Sequence, residues 1–174
     1  MHLILALALF LAPDATADLS RALSGSWVGY LEYRDYSEPP TSAKRVQLPT
    51  WLTVTQSDRG LVFHYTYDDG PNNVVDSQEF LKLDTARNTY TVSEPGHPDD
   101  IYTMSGLDAL KTGLGTLVLT GSGTDNGKPA ERRISLRVRR NAVEWLLETR
   151  PAQSSSQYTF RHLYRFTRAQ PSAN

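Results

Sequence analysis

The sequence predicts an all-β fold, a single antiparallel up-and-down β-barrel of about eight to ten strands, and three observations carry that reading. Apolar and polar residues alternate at period two along most of the chain, turn chemistry interrupts the runs at about ten-residue spacing, and helical periodicity is nearly absent. Period-two alternation sends successive side chains to opposite faces of a sheet. Short strands at even spacing, with no domain boundary, repeat or long linker, favour a meander closed on itself over a two-sheet sandwich. Closure also removes the unpaired edges along which sheets aggregate.

The first run, residues 26–36, alternates Trp27, Gly29, Leu31 and Tyr33 with Val28, Tyr30, Glu32 and Arg34, and a Pro-Pro loop ends it. Residues 45–56 set Val46, Leu48, Leu52 and Val54 against polar neighbours, and Ser57-Asp58-Arg59-Gly60 turns them tightly into 61–68. After Asp69-Gly70-Pro71-Asn72-Asn73 come runs at 74–83 and 89–94, then a Pro-Gly-His-Pro loop and a run at 101–105. Residues 107–111 read as one helical turn before the run at 114–123. Asp125-Asn126-Gly127 is a strong turn signal leading into 132–140, and 142–149 and 158–167 complete the set. The barrel domain thus occupies 18–168, and 169–174 read as a disordered tail.

The opening residues have another character. Leu3 through Ala12 form an apolar run of ten, followed by Pro13 and the small triplet Ala15-Thr16-Ala17. This is the layout of a cleavable secretory signal over residues 1–17, and the run is too short to span a bilayer as a helix. The chain is therefore expected to be periplasmic or secreted, without a transmembrane segment. Cleavage after Ala17 leaves 157 of 174 residues, enough for one domain with a substantial core. The sequence holds no cysteine, which excludes disulfides, thiolate metal sites and a cysteine nucleophile.

The formal net charge of −1 exerts no general pull toward nucleic acid, but the charges are segregated. Residues 58–108 hold ten acidic and three basic side chains, whereas 128–168 hold ten basic and three acidic. In one folded domain this predicts opposed acidic and basic walls and weak self-association at low salt.

Closing the meander pairs the last run with the first, antiparallel. Setting Glu32 opposite Arg161 joins opposite charges. The same register sets Trp27 opposite Phe166, Gly29 opposite Tyr164, Leu31 opposite His162 and Tyr33 opposite Phe160, an aromatic face that must point inward. Gly29 then leaves room beside Tyr164. Leu61, Phe63, Tyr65 and Tyr67 add two inward phenols, and Trp145 shares its inward face with Val143, Leu147 and Thr149.

The element Gly25-Ser26-Trp27 at the start of the first strand, after a short lead, resembles the opening of the lipocalin and wider calycin superfamily. That resemblance implies a lipocalin-like barrel whose final strand brings an arginine onto the tryptophan through a cation–π contact, here Arg165 or Arg168. It also implies a ligand-carrier role. The second and third lipocalin motifs are not recognisable, and the strand count is nearer the ten of the fatty-acid-binding relatives.

Two readings of the interior follow. In one, Tyr33, Tyr65, Tyr67, Trp145, His162 and Tyr164 line a pocket for a small apolar or aromatic ligand. In the other, the barrel is filled by its own side chains and serves as an interaction module of the cell envelope. His162 is the one histidine in the aromatic interior and could ligate a haem iron, although a satisfied core histidine is the commoner case; no histidine pair has metal-ligand spacing. No cofactor and no metal site are expected.

Enzymatic chemistry is not expected either. The Ser-Gly pairs lack a strand-to-helix elbow, and Asp68-Asp69 and Asp99-Asp100 are adjacent loop residues whose side chains diverge. Arg133, Arg137 and Arg139 project outward without interleaved aromatics, which reads as a solvated wall and not a nucleic-acid surface.

Overall fold

A computed structural model describes residues 15–39 and 42–170. The apolar run of the expected signal and the last four residues of the expected tail lie outside the described residues. One helix, α1 (Ala15–Leu23), precedes ten strands: β1 (Gly25–Arg34), β2 (Arg45–Ser57), β3 (Gly60–Asp68), β4 (Val74–Asp84), β5 (Thr89–Ser93), β6 (Asp100–Ser105), β7 (Gly115–Asp125), β8 (Lys128–Arg139), β9 (Ala142–Pro151) and β10 (Thr159–Arg168). Every neighbouring pair is antiparallel, and the barrel closes by pairing β1 with β10. A single 3₁₀ turn, Leu107–Ala109, interrupts the β6–β7 connection where the sequence predicts a helical turn.

The turns follow from local chemistry. Asn126 and Gly127, at φ 51° and 73°, supply the two positive-φ positions of a tight hairpin, so β7 and β8 stay paired as far as Asp125 and Lys128.

The lead into β1 is a true helix and longer than the short lead the sequence suggests. Leu19 and Leu23, four residues apart, share one face and are fully buried, while Asp18 and Arg21 form an ion pair at 2.7 Å on the other. The helix plugs the end of the barrel where β1 begins and β10 ends. Beneath it Trp27, Leu52, Val54, Leu61, Phe63, Leu81, Tyr90, Met104, Leu117, Leu119, Leu136 and Phe166 fill the interior. The opposite end carries the 35–44, 69–73, 94–99 and 152–158 connections and is the open rim.

The closing register differs from the expected one by two residues. Trp27 lies opposite Arg168, Gly29 opposite Phe166, Leu31 opposite Tyr164, Tyr33 opposite His162, and Glu32 opposite Leu163 in place of Arg161. A shift of two preserves the pleat, so the inward row of β1 and the row His162, Tyr164, Phe166 keep their faces although their partners change.

Two local features shape the strands on either side of this ladder. A β-bulge between Phe160 and His162 adds a residue to β10 and moves Phe160 out of the inward row, level with Glu148 of β9. Gly29, in turn, leaves no room beside Tyr164: a Cβ there would lie 1.9 Å from the Arg165 carbonyl oxygen. Its missing side chain lets the two backbones approach.

The charge segregation maps onto the barrel as β3–β6 on one side and β8–β10 on the other. The basic side is laced internally, with Arg133 on Glu148 at 2.8 Å, Arg137 and Arg165 on Glu144 at 3.3 and 3.4 Å, and Arg150 on Glu131 at 2.5 Å. These pairs use all three acidic residues of that stretch.

Candidate functional site

Between the filled half of the barrel and the open rim lies a chamber of about 210 Å³ lined by Tyr65, Glu79, Val92, Asp100, Tyr102, Arg132, Ile134, Trp145, Leu147, His162 and Tyr164. Four of the six residues expected at an interior site meet here: Tyr65 from β3, Trp145 from β9, and His162 and Tyr164 from β10. Tyr67 stands behind them, its hydroxyl 2.8 Å from that of Tyr164. Tyr33 is not part of the lining; it stacks on Tyr36 toward the rim, with ring centroids 6.5 Å apart.

The aromatics form one continuous assembly. Tyr65 and Tyr164 lie 5.2 Å apart, Tyr164 stacks on Phe166 at 5.9 Å, and His162 meets Tyr164 edge-on at 5.4 Å. Trp145 takes Phe63 at 5.8 Å and Tyr90 at 6.2 Å, both near-perpendicular. These offset and edge-on contacts are the favoured aromatic geometries.

The chamber also holds charge that the apolar reading missed. Glu79 occupies an inward position of β4, and its Oε2 accepts a long hydrogen bond from the Tyr65 hydroxyl at 3.4 Å. Burial pushes its carboxyl up to about 7, and the neighbouring Glu94 carboxylate adds to the rise. Arg132 occupies an inward position of β8, pairs with Asp100 on β6 and donates to the Tyr102 hydroxyl at 3.4 Å. His162 is held neutral: burial brings its imidazole down to about 4, helped by the positive charges of Arg161 and Arg132. Burial raises the phenols of Tyr65 and Tyr164 well above the ordinary range.

A signal for both charged groups was present. Arg132 stands two residues before Ile134 and shares its parity with Leu136 and Val138, so strict alternation sends it inward. Glu79 shares its parity with Leu81. Each was overshadowed by neighbours, Arg132 by the arginines around it and Glu79 by a run with little apolar contrast.

A second concavity, about 710 Å³, lies at the rim above the chamber, lined by residues of the β1–β2 connection, the β7–β8 turn and the adjoining ends of β9 and β10. Its inner wall contains Ala130 and Thr149, the inward positions one step above Arg132 and Leu147. Thr149 is buried and donates to Asp125 Oδ2 at 2.7 Å, and Asp125 Oδ1 forms an ion pair with Arg161 Nη1 at 2.5 Å. Arg161, the residue the bulge inserts, is thus tied to the β7–β8 turn and not to Glu32, which accepts from Gln47 Nε2 at 3.0 Å.

His64 sits on the outer wall beside Asp76 at 3.5 Å. Among the described residues, no group of three His, Cys, Asp or Glu is placed to hold a metal ion, and no helix is long and apolar enough to cross a membrane. A scan of known protein families gives no match, and comparison with curated proteins gives none at a significant level. The fold and the site define a closed ten-stranded antiparallel barrel, plugged at one end, with a small mixed polar and aromatic chamber below its open rim.

Proposed function

We propose that the chain is an exported, lipocalin-like barrel that binds a compact small molecule in the chamber beneath the rim. The observation that carries this reading is the convergence of Glu79, His162, Tyr65 and Tyr164 on a space that the surrounding core leaves unfilled. Binding sites combine an apolar wall with a few placed polar groups, and the chamber has both. At about 210 Å³ it falls below the usual range for drug-sized ligands but exceeds the engineered cavity of about 150 Å³ that takes up benzene. The ligand class is therefore a single aromatic ring or a group of similar size, hydrogen-bonded at one edge. A porphyrin is far larger than this space, so His162 is read as a wall group and not as a haem ligand.

The lipocalin-like assignment draws support from the stacking of Arg168 on Trp27, with the guanidinium carbon 4.1 Å from the ring centroid. This is the contact that the Gly-x-Trp resemblance implies between first and last strands. Export draws support from the apolar run and small-residue triplet at the start of the sequence. Cleavage after Ala17 would leave Leu19 and Leu23 in place to plug the barrel, and sequencing of the exported protein should begin at Asp18.

The test is titration with toluene, phenol and benzylamine, followed on the indole N–H of Trp145 and the ring protons of His162. Phenol or benzylamine should shift both signals saturably, and Leu147→Phe, which fills the chamber, should abolish the shifts. Silence at Trp145 and His162 with all three compounds overturns the reading and leaves the barrel as a filled interaction module.

A further inference from the structure

We propose that the rim cleft is a second, separate binding site, which takes an amphipathic carboxylate whose head docks among Arg34, Arg45 and Lys128. These three cations line one concavity. Among the described residues none of them has a carboxylate within ion-pair distance. A fourth cation of the lining, Arg150, is held by Glu131, and elsewhere on the β8–β10 side Arg133, Arg137, Arg161 and Arg165 each have a carboxylate. The one acidic side chain in the cleft lining, Asp125, is already held by Arg161 and Thr149. The cleft therefore carries positive charge that no carboxylate among the described residues neutralises.

The two arginines are also oriented for the task. The Arg34 guanidinium stands 4.8 Å from the Tyr36 ring centroid, and that of Arg45 stands 4.5 Å from the centroid of Phe160. A guanidinium held over a ring by cation–π attraction retains N–H donors for an anion. Arg45 uses one of these, on the Lys44 carbonyl at 3.1 Å. Because the ring contacts restrict both side chains beforehand, an incoming carboxylate does not bear the full cost of ordering them.

The rest of the cleft sets the remainder of the ligand. Pro129, Ala130, Pro151 and Phe160 supply apolar surface, and about 710 Å³ lies within the range of sites for ligands larger than a lone ion. An apolar body against these residues with a carboxylate among the three cations satisfies both parts.

The experiment is calorimetric titration of the full chain with cinnamate, its uncharged amide and protonated cinnamylamine, with backbone amides followed by NMR. Cinnamate should shift the amides of residues 126–128, 130, 159 and 160, bind more weakly as salt is added, and outcompete both analogues. Arg45→Gln and Lys128→Gln should each weaken it by about tenfold, the loss expected for one charge-assisted contact, while Arg137→Gln on the same side leaves it unchanged. Equal affinity for the amide, an equal loss in Arg137→Gln, or shifts confined to Trp145 and His162 would each overturn the proposal. The last outcome would place the anion in the chamber and leave the reading of that chamber intact.

Discussion

Arg168 stands over the indole of Trp27 at 4.1 Å and donates to the carbonyl oxygens of Ser24 at 2.9 Å and Ala22 at 2.8 Å, while Trp27 Nε1 donates to Leu23 O at 2.8 Å. One side chain thus joins the last strand, the first strand and the carbonyl end of α1, where a cation is electrostatically favoured. Arg168→Met should cost about 2–4 kcal/mol, less than a desolvated cation–π contact and two charge-assisted hydrogen bonds would sum to singly, because contacts made by one side chain are not additive. Arg168→Lys should recover less than half of it, because an ammonium lacks the planar fork that stacks and caps together. Urea unfolding at constant m-value measures both, and a lysine variant as stable as the parent would show that the geometry carries little energy.

Gly29 tests the closing register. Its absent Cβ would collide with the Arg165 carbonyl, a backbone atom that cannot move without opening the β1–β10 ladder. Gly29→Ala should therefore destabilise by about 3 kcal/mol or more, beyond what strand propensity predicts for adding a methyl group. If thermal unfolding shows the alanine variant as stable as the parent, the strands do not approach as closely as described.

The chamber should respond to pH in both directions. Glu79 has its folded carboxyl raised from 4.5 to about 7, so the fold favours its protonated form. Its contribution to stability is fully present below the ordinary carboxyl value and is lost as pH rises from about 4.5 to about 7. His162 is lowered from 6.5 to about 4, so the fold favours its neutral form, and that contribution is lost as pH falls across this interval. Glu79→Gln should raise the melting temperature relative to the parent at pH above 7, with the difference vanishing near pH 4.5. A parallel offset at all pH values would mean that Glu79 does not titrate in the folded state as its burial requires.

Much of this architecture is legible in the alternation itself. The inward rows of β1, β3 and β9 follow from parity, as do Tyr65, Trp145, His162 and Tyr164, because each strand there runs unbroken through its buried segment. Parity fails at Phe160, where the bulge inserts Arg161, and no turn residue or glycine in Thr159-Phe160-Arg161-His162 marks the break. The closing register is hidden for a related reason. Pairing Glu32 with Arg161 optimised one surface ion pair, worth little in water, whereas the fold optimises the Trp27–Arg168 stack and the close approach at Gly29. The acidic half of the chamber was obscured because Glu79 stands in β4 among Asp76, Ser77, Gln78 and Lys82, where apolar contrast is too low to reveal which face is buried.

Asp125 and Arg161 provide the sharpest test of the rim. Their ion pair spans the β7–β8 turn and the bulged residue of β10, with the side chains 24% and 21% exposed, so solvent screens it only in part. Neither Asp125 Oδ1 nor Arg161 Nη1 has a hydrogen-bond partner in good alignment among the described residues, so the contact rests on charge. The second carboxylate oxygen is taken by Thr149, and Arg161 lies 4.7 Å from the Tyr36 ring centroid. Removing the acid strands a half-buried guanidinium, and removing the arginine strands a carboxylate. Asp125→Asn and Arg161→Met should each cost about 1–3 kcal/mol, while the double variant should cost less than their sum because neither partner is left behind. A coupling indistinguishable from zero in that cycle would mean that the bulge is held by the backbone alone. A coupling of about 1 kcal/mol or more would make the pair one of the contacts that hold β10 in its bulged form, which sets Phe160 beneath Arg45 and His162 in the chamber wall.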